Sequence, residues 1–231
     1  MLLHQRLEGF SLPLDETAWE KLERFHAFLM EKNAVMDLTN VPEEDMPLRH
    51  YADSLLALNH GLFSRGCRVI DVGTGAGFPG IPLAIARPDM QMTLLESMQK
   101  RCGFLSEVVS LLDLRNVRVM AGRAEDMGRG DFREQFDLAL ARAVAVLPVL
   151  AEYLLPLVKV GGHALCWKGP ALWEELPAGE RACQRLGGEL GALIDLEIPG
   201  RSHYIQVINK VNATPAKYPR KAGMPGKKPL G

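Results

Sequence analysis

Apolar positions change their period twice along the chain. Between 15 and 32, Ala18, Leu22, Phe25 and Leu29 recur at helical spacing, which predicts an amphipathic helix. Asp15 or Thr17 can cap it, and Thr17 with Glu20 has capping-box spacing. A second helix is predicted from Asp45 to about His60. From Cys67 onward, short apolar runs alternate with helical stretches. Strands are predicted at Cys67–Val72, Gln91–Leu95 (ending at Glu96), Val117–Ala121, Phe136–Leu140 and His163–Trp167. Helices fall between them, one through Ile81 to Ala86, one through Phe104 to Leu112 and one over Val146–Val158. Gly161-Gly162 reads as the turn into the fifth strand. Such alternation argues for a parallel sheet covered on both faces. After a helix near 171–187, two further strands, Leu190–Ile198 and Tyr204–Val211, are joined by Pro199-Gly200-Arg201-Ser202. That link is too short for a parallel crossover, so this pair is predicted antiparallel.

The expected fold is α/β and Rossmann-like: a mostly parallel seven-stranded sheet with an antiparallel C-terminal hairpin and N-terminal helices. Three regions follow: a helical cap over 1–64, a ligand-binding domain over 65–211 and a tail over 212–231. The tail is rich in Pro, Gly and Lys and reads as extended.

Composition adds one asymmetry. The chain of 231 residues is 47% hydrophobic and 24% charged, ordinary for a soluble protein. Seven of its 27 basic residues lie from Ile198 to the end, a segment without acids; the remaining 20 face 28 acids, a net −8. A basic tail on an acidic body suggests a polyanion partner, or simply solvated charge. No apolar run reaches the roughly 20 residues of a membrane span, and the N-terminus lacks a secretory pattern. Four scattered cysteines form no CxxC pair, so neither a metal site nor a disulfide framework is expected, and a cytoplasmic setting is.

The chemistry concentrates at Asp71-Val72-Gly73-Thr74-Gly75-Ala76-Gly77-Phe78-Pro79-Gly80. Glycines after a strand let the backbone approach a ligand closely. Gly75, Gly77 and Gly80 also satisfy the dinucleotide template, so NAD stays open. Asp71 favours a cationic ligand, because its charge would repel a pyrophosphate. S-adenosylmethionine is the expected cofactor. Glu96 can accept from ribose hydroxyls, as it would in NAD enzymes. Arg123-Ala124-Glu125-Asp126 follows the third strand, where the adenine amine would be read, or forms a plain charged loop.

Ala139-Leu140-Ala141-Arg142-Ala143-Val144 carries neither an amine-holding Asn/Asp-Pro-Pro-aromatic motif nor a Pro-Cys nucleophile. Cys166 reads as a core thiol. No His–acid pair stands out as a base. Guanine N7, which has a lone pair and no proton to lose, fits that gap, since positioning can supply roughly 7–11 kcal/mol.

The chain resembles the bacterial small-subunit rRNA guanine-N7 methyltransferases, the glucose-inhibited division protein B family. The likeness runs through His50-Tyr51-Ala52-Asp53-Ser54-Leu55, Asp71 to Leu83, Lys100-Arg101, Phe104-Leu105, Arg123 to Asp126, Arg142-Ala143, Lys168 and Tyr218-Pro219-Arg220-Lys221-Ala222-Gly223. It implies S-adenosylmethionine-dependent methylation of N7 of one guanine in 16S rRNA. It places Gly73, Phe78, Ala124, Glu125 and Arg142 around the cofactor, with Arg142 at the transfer centre. With the motif reading, the expected cofactor set also includes Asp71, Gly75, Gly77 and Glu96. Lys100, Arg101, Lys168, Arg220 and Lys221 are expected on rRNA, and Trp167 either stacks on a base or belongs to the core. The expected partner is the small subunit, and the expected state a monomer without metal or membrane. One departure is Asp37-Leu38-Thr39, where the family usually has Asn-Leu-Thr. An oxidoreductase and a non-catalytic RNA-binding factor remain the competing readings.

Overall fold

The computed structural model describes residues 2–231. A short helix α1 (Leu3–Arg6) precedes the long α2 (Glu16–Met36). Asp15, not Thr17, caps α2, its side chain accepting from Ala18 N–H at 2.8 Å. The predicted stripe is the buried one, since Ala18, Leu22, Phe25 and Leu29 all enter the core. Asp37 ends α2 in the left-handed conformation (φ 52°). Asn and Asp both tolerate that region, so the departure at 37 is explained by backbone conformation.

The second predicted helix is irregular. A π turn over Pro47–Ala52 runs into α3 (Asp53–Leu55) and a 3-10 turn over Leu56–His60. Such widened turns are common at functional sites, and this one carries Arg49 and His50.

Seven strands follow: β1 (Arg68–Val72), β2 (Gln91–Glu96), β3 (Val117–Ala121), β4 (Phe136–Arg142), β5 (Val158–Lys168), β6 (Gly188–Asp195) and β7 (Tyr204–Lys210). Their order is β3-β2-β1-β4-β5-β7-β6. The first five pair in parallel, while β7 runs antiparallel to β5 and β6, as the short link required. Helices α4 (Gly80–Ala86) and α5 (Gln99–Leu111) and the N-terminal helices pack into one apolar cluster. Helices α7 (Leu147–Leu154) and α8 (Leu172–Leu186) belong to the other. A short helix, α6 (Ala124–Met127), follows β3.

Four expectations change. Gly161-Gly162 lies inside β5, not before it: the β4–β5 register jumps between Phe136 and Leu138, and a Cβ on Gly162 would meet the Asp137 carbonyl at 2.4 Å. The helix before it therefore stops at Leu154. The N-terminal region has no core of its own, because Phe25, Leu29 and Tyr51 share a cluster with Val69 and Leu138 of the sheet. The tail, finally, is not extended. It folds back across α7, burying Thr214, Tyr218 and Pro225, and ends in α9 (Met224–Lys227). Arg133 donates to the carbonyls of Thr214 and Tyr218. The fully buried Lys210 donates to Thr214 Oγ1 and pairs with Glu134. Arg220 forms a two-pronged pair with the fully buried Glu152.

Candidate active site

Strand order reverses between β1 and β4, the place where open α/β sheets hold ligands. Two cavities lie there, at the carboxyl ends of the strands. The first, about 230 Å³, lies between Gly73, Leu95, Ser97, Ala124, Glu125 and Val144. The second, about 340 Å³, is lined by His50, Asp53, Arg142, Lys168, Glu175 and His203 among others. Ala143 lines the second and Val144 the first, so these two residues form the wall between them. Ala143 is left-handed (φ 56°). That strain, about 1–2 kcal/mol for a residue with a Cβ, is held at the point where the cavities meet.

The glycine loop is tied from below. Asp71 is wholly buried; its Oδ2 accepts from Thr74 Oγ1 at 2.7 Å and from Gly80 N–H at 2.9 Å. Its Oδ1 accepts nothing from the described residues. Burial pushes this carboxyl up to about 6, against the pull of its two donors. Gly73, Gly75 and Gly77 all take positive φ. At Gly73 the absent side chain matters, since a Cβ would meet Val144 Cγ2 at 2.9 Å and close the first cavity. Glu96 accepts from Gly75 N–H (3.1 Å) and Met98 N–H (2.8 Å). Ser97 Oγ also donates to Oε1 at 3.4 Å, so of about four acceptor sites one, on Oε2, stays open for a ribose hydroxyl. Glu125 accepts from Gly223 N–H at 2.8 Å, so the folded tail helps hold a wall of the first cavity.

These residues fit the expected cofactor. An adenosyl group would sit against Leu95, Val144 and Ala124, with acceptors at Glu96 and Glu125. The unpartnered Oδ1 of Asp71 lies below a loop that would carry the cationic end. Because ionised Asp71 favours a cation, affinity for S-adenosylhomocysteine, whose amino group is cationic, should rise as pH increases through about 6. It should fall towards pH 5. Calorimetric titration of wild type and Asp71→Asn across that range tests this; a pH-independent wild-type affinity would remove Asp71 from the cofactor's electrostatics.

Arg142 projects into the second cavity. Its Nη1 donates to Asp53 Oδ2 and to the Arg49 carbonyl, each at 2.9 Å, and its Nη2 reaches His50 Nδ1 at 3.1 Å. His50 Nδ1 also lies 3.2 Å from the Arg49 carbonyl, and its Nε2 lies 2.9 Å from Thr39 Oγ1. Burial first, and then the Arg142 charge, push His50 down to about 3, so it stays neutral. The other oxygen of Asp53 takes His203 Nδ1 at 2.8 Å, and the backbone carbonyl of Asp53 takes Trp167 Nε1–H at 2.8 Å.

The remaining expected residues divide. Phe78 lines neither cavity; its buried ring stacks on His50 at 4.5 Å and lies under the Arg142 guanidinium at 5.2 Å, supporting both. Lys168 lines the second cavity but is paired with Glu175. Arg101 reaches over the glycine loop, where its Nη1 lies 4.0 Å from the position of a Cβ on Gly75. Lys100 donates to the Val35 carbonyl at 3.4 Å. Lys221 is exposed. Arg220 is engaged by Glu152 through its Nε and Nη2. Trp167 is core, and Cys166 is a buried thiol pushed far above its ordinary range by burial. Sequence reasoning missed His50, Asp53 and His203 as site groups. His50 and Asp53 share a helix face at three-residue spacing, a signal that was present. His203 offered none, being 150 positions from Asp53.

A family model described as rRNA small subunit methyltransferase G matches residues 18–205, most of the chain. The chain belongs to that family. Relatives carrying that family name include one from Alkaliphilus oremlandii, 45% identical over 99% of this chain and 98% of its own. Another, from Leuconostoc citreum, is 46% identical over 97% and 96%. The fold is shared more widely. Fibrillarin from Aeropyrum pernix, solved with natively bound S-adenosyl-L-methionine, superposes with a TM-score of 0.51 at 19% identity, covering 68% of this chain and 76% of that one. A TehB-like S-adenosylmethionine-dependent methyltransferase from Corynebacterium glutamicum gives 0.52 at 17% identity, covering 81% and 98%. No helix among the described residues is long and apolar enough to cross a membrane.

Proposed function

We propose that this chain transfers the methyl group of S-adenosylmethionine to N7 of one guanine in the 16S rRNA of the small ribosomal subunit. The observation that carries this reading is the pair of cavities meeting at Ala143–Val144, one suited to the cofactor and the other walled by Arg142, Asp53, Lys168 and Glu175. The cofactor, when bound, supplies an electrophilic methyl on a cationic sulfur.

The chain's part is binding and alignment. Asp71 ties down the loop, Glu96 takes the ribose, and Ala124 and Glu125 meet the adenine. Arg142, fixed by Asp53, His50 and Arg49, sets the position of the incoming base at the transfer centre. Guanine N7 needs no proton removed, so His203 need not act as a base. The oxidoreductase reading is disfavoured because a pyrophosphate on the glycine loop would meet the charge of Asp71. Lys100, Arg101, Lys168 and Lys221 are proposed on the RNA side, with affinity falling as salt rises. The enzyme would work in the cytoplasm as a monomer.

The test is methyl transfer from labelled S-adenosylmethionine to small subunits lacking the modification, with N7-methylguanine mapped by strand cleavage. Label at one guanine is expected. Label elsewhere, or none while S-adenosylhomocysteine still binds, would sink the substrate assignment.

A further inference from the structure

The second cavity is unusual in what it leaves unpaired. Its two best-buried cations are each engaged: Arg142 by Asp53, His50 and the Arg49 carbonyl, and Lys168 by Glu175 and the Ala145 carbonyl. Two acceptor groups beside them each keep one atom without a partner among the described residues. Glu175 uses Oε2 for both the Leu147 N–H and Lys168, and its Oε1 accepts no hydrogen bond from the described residues. His203 Nδ1 faces Asp53 Oδ1 at 2.8 Å; an uncharged ring held this way would present Nε2 as an acceptor, and Nε2 has no partner among the described residues. Both side chains line the cavity and are mostly buried, with 13% and 28% exposed.

We infer that Glu175 and His203 determine base specificity by accepting hydrogen bonds from the Watson–Crick edge of the target guanine, which offers two neighbouring donors, N1–H and the 2-amino group. The inference rests on the proposed guanine methylation and assigns the groups that read the base. Enzymes that act on a single base commonly read it at this edge. Adenine presents an acceptor at N1 and has no 2-amino group, so it would leave both protein acceptors facing no donor. Methylation at N7 also makes the ring cationic and its N1–H more acidic. Hydrogen bonds to these acceptors therefore strengthen as the methyl arrives, the condition for lowering the barrier and not only for binding. The negative Glu175, in addition, sits where the product becomes positive.

The experiment compares guanine with inosine, which lacks only the 2-amino group, at the target position of reconstituted small subunits. Wild type should lose about 10- to 100-fold in kcat/KM on inosine, the cost of a stranded acceptor. Glu175→Gln and His203→Gln should each lower kcat/KM on guanine, and at least one should bring the guanine-to-inosine ratio towards one, with S-adenosylhomocysteine affinity unchanged. If Glu175→Gln no longer binds S-adenosylhomocysteine, His203→Gln carries the comparison. A wild-type enzyme that treats both bases alike, or variants that keep the full wild-type ratio, would overturn the inference. Absence of transfer even to guanine subunits would instead overturn the proposed function.

Discussion

Replacing Arg142 with lysine should lower the rate of methyl transfer roughly 100- to 1,000-fold, the range seen when one preorganised donor is removed from a reacting centre. A lysine keeps the charge but is a point donor on a flexible stem. It cannot hold Asp53, His50 and the Arg49 carbonyl together as the planar guanidinium does. The geometry that aligns the acceptor would be lost even where the charge is kept, and small misplacements cost about 100-fold in such reactions. The first cavity is lined by other residues, so S-adenosylhomocysteine should still bind. Asp53→Asn should show a smaller loss of the same kind, because it frees both Arg142 and His203. Single-turnover transfer alongside cofactor titration separates the two effects. Near-wild-type turnover in Arg142→Lys would remove Arg142 from the transfer centre.

Arg220→Ala should destabilise the protein, not merely weaken RNA binding. Glu152 is fully buried, and Arg220 supplies its N–H and its guanidinium to that carboxylate. The substitution strands a buried charge, which costs about 3 kcal/mol, or a fall of roughly 6–12 °C in Tm for a chain of this size. Loosening of the folded tail would also free Gly223 from Glu125, so cofactor affinity should fall in parallel. Thermal melts and S-adenosylhomocysteine titrations read both. Unchanged melting and cofactor binding, with a salt dependence of RNA binding shallower by about one charge, would instead restore Arg220 to the RNA contact expected from the basic tail.

Much of the site was legible because its parts are local. Asp71, the three glycines and Glu96 lie at strand ends, and strand ends follow from runs of apolar residues bounded by turn formers. Ala124 and Glu125, just after β3, were placed by the family resemblance, with the strand end fixing where to look. The tail was misread for a physical reason as well. Pro, Gly and Lys describe a segment that cannot build its own core, but Thr214, Tyr218, Pro225 and Arg220 are buried or paired by using someone else's: α7, Glu152 and the buried Lys210. Composition records what a segment can do alone and carries no record of a partner 68 residues away.

The sequence by itself determined the strand–helix alternation, the antiparallel finish, the cofactor loop and the family, because periodicity and motif spacing are properties of consecutive residues. Only the tertiary structure decided that Asp53 would bridge Arg142 and His203, that Phe78 would support Arg142 instead of lining a cavity, and that Arg220 would pair with the buried Glu152. Those outcomes depend on which distant groups are brought out of water together. A buried charge must find its partner wherever the fold places one.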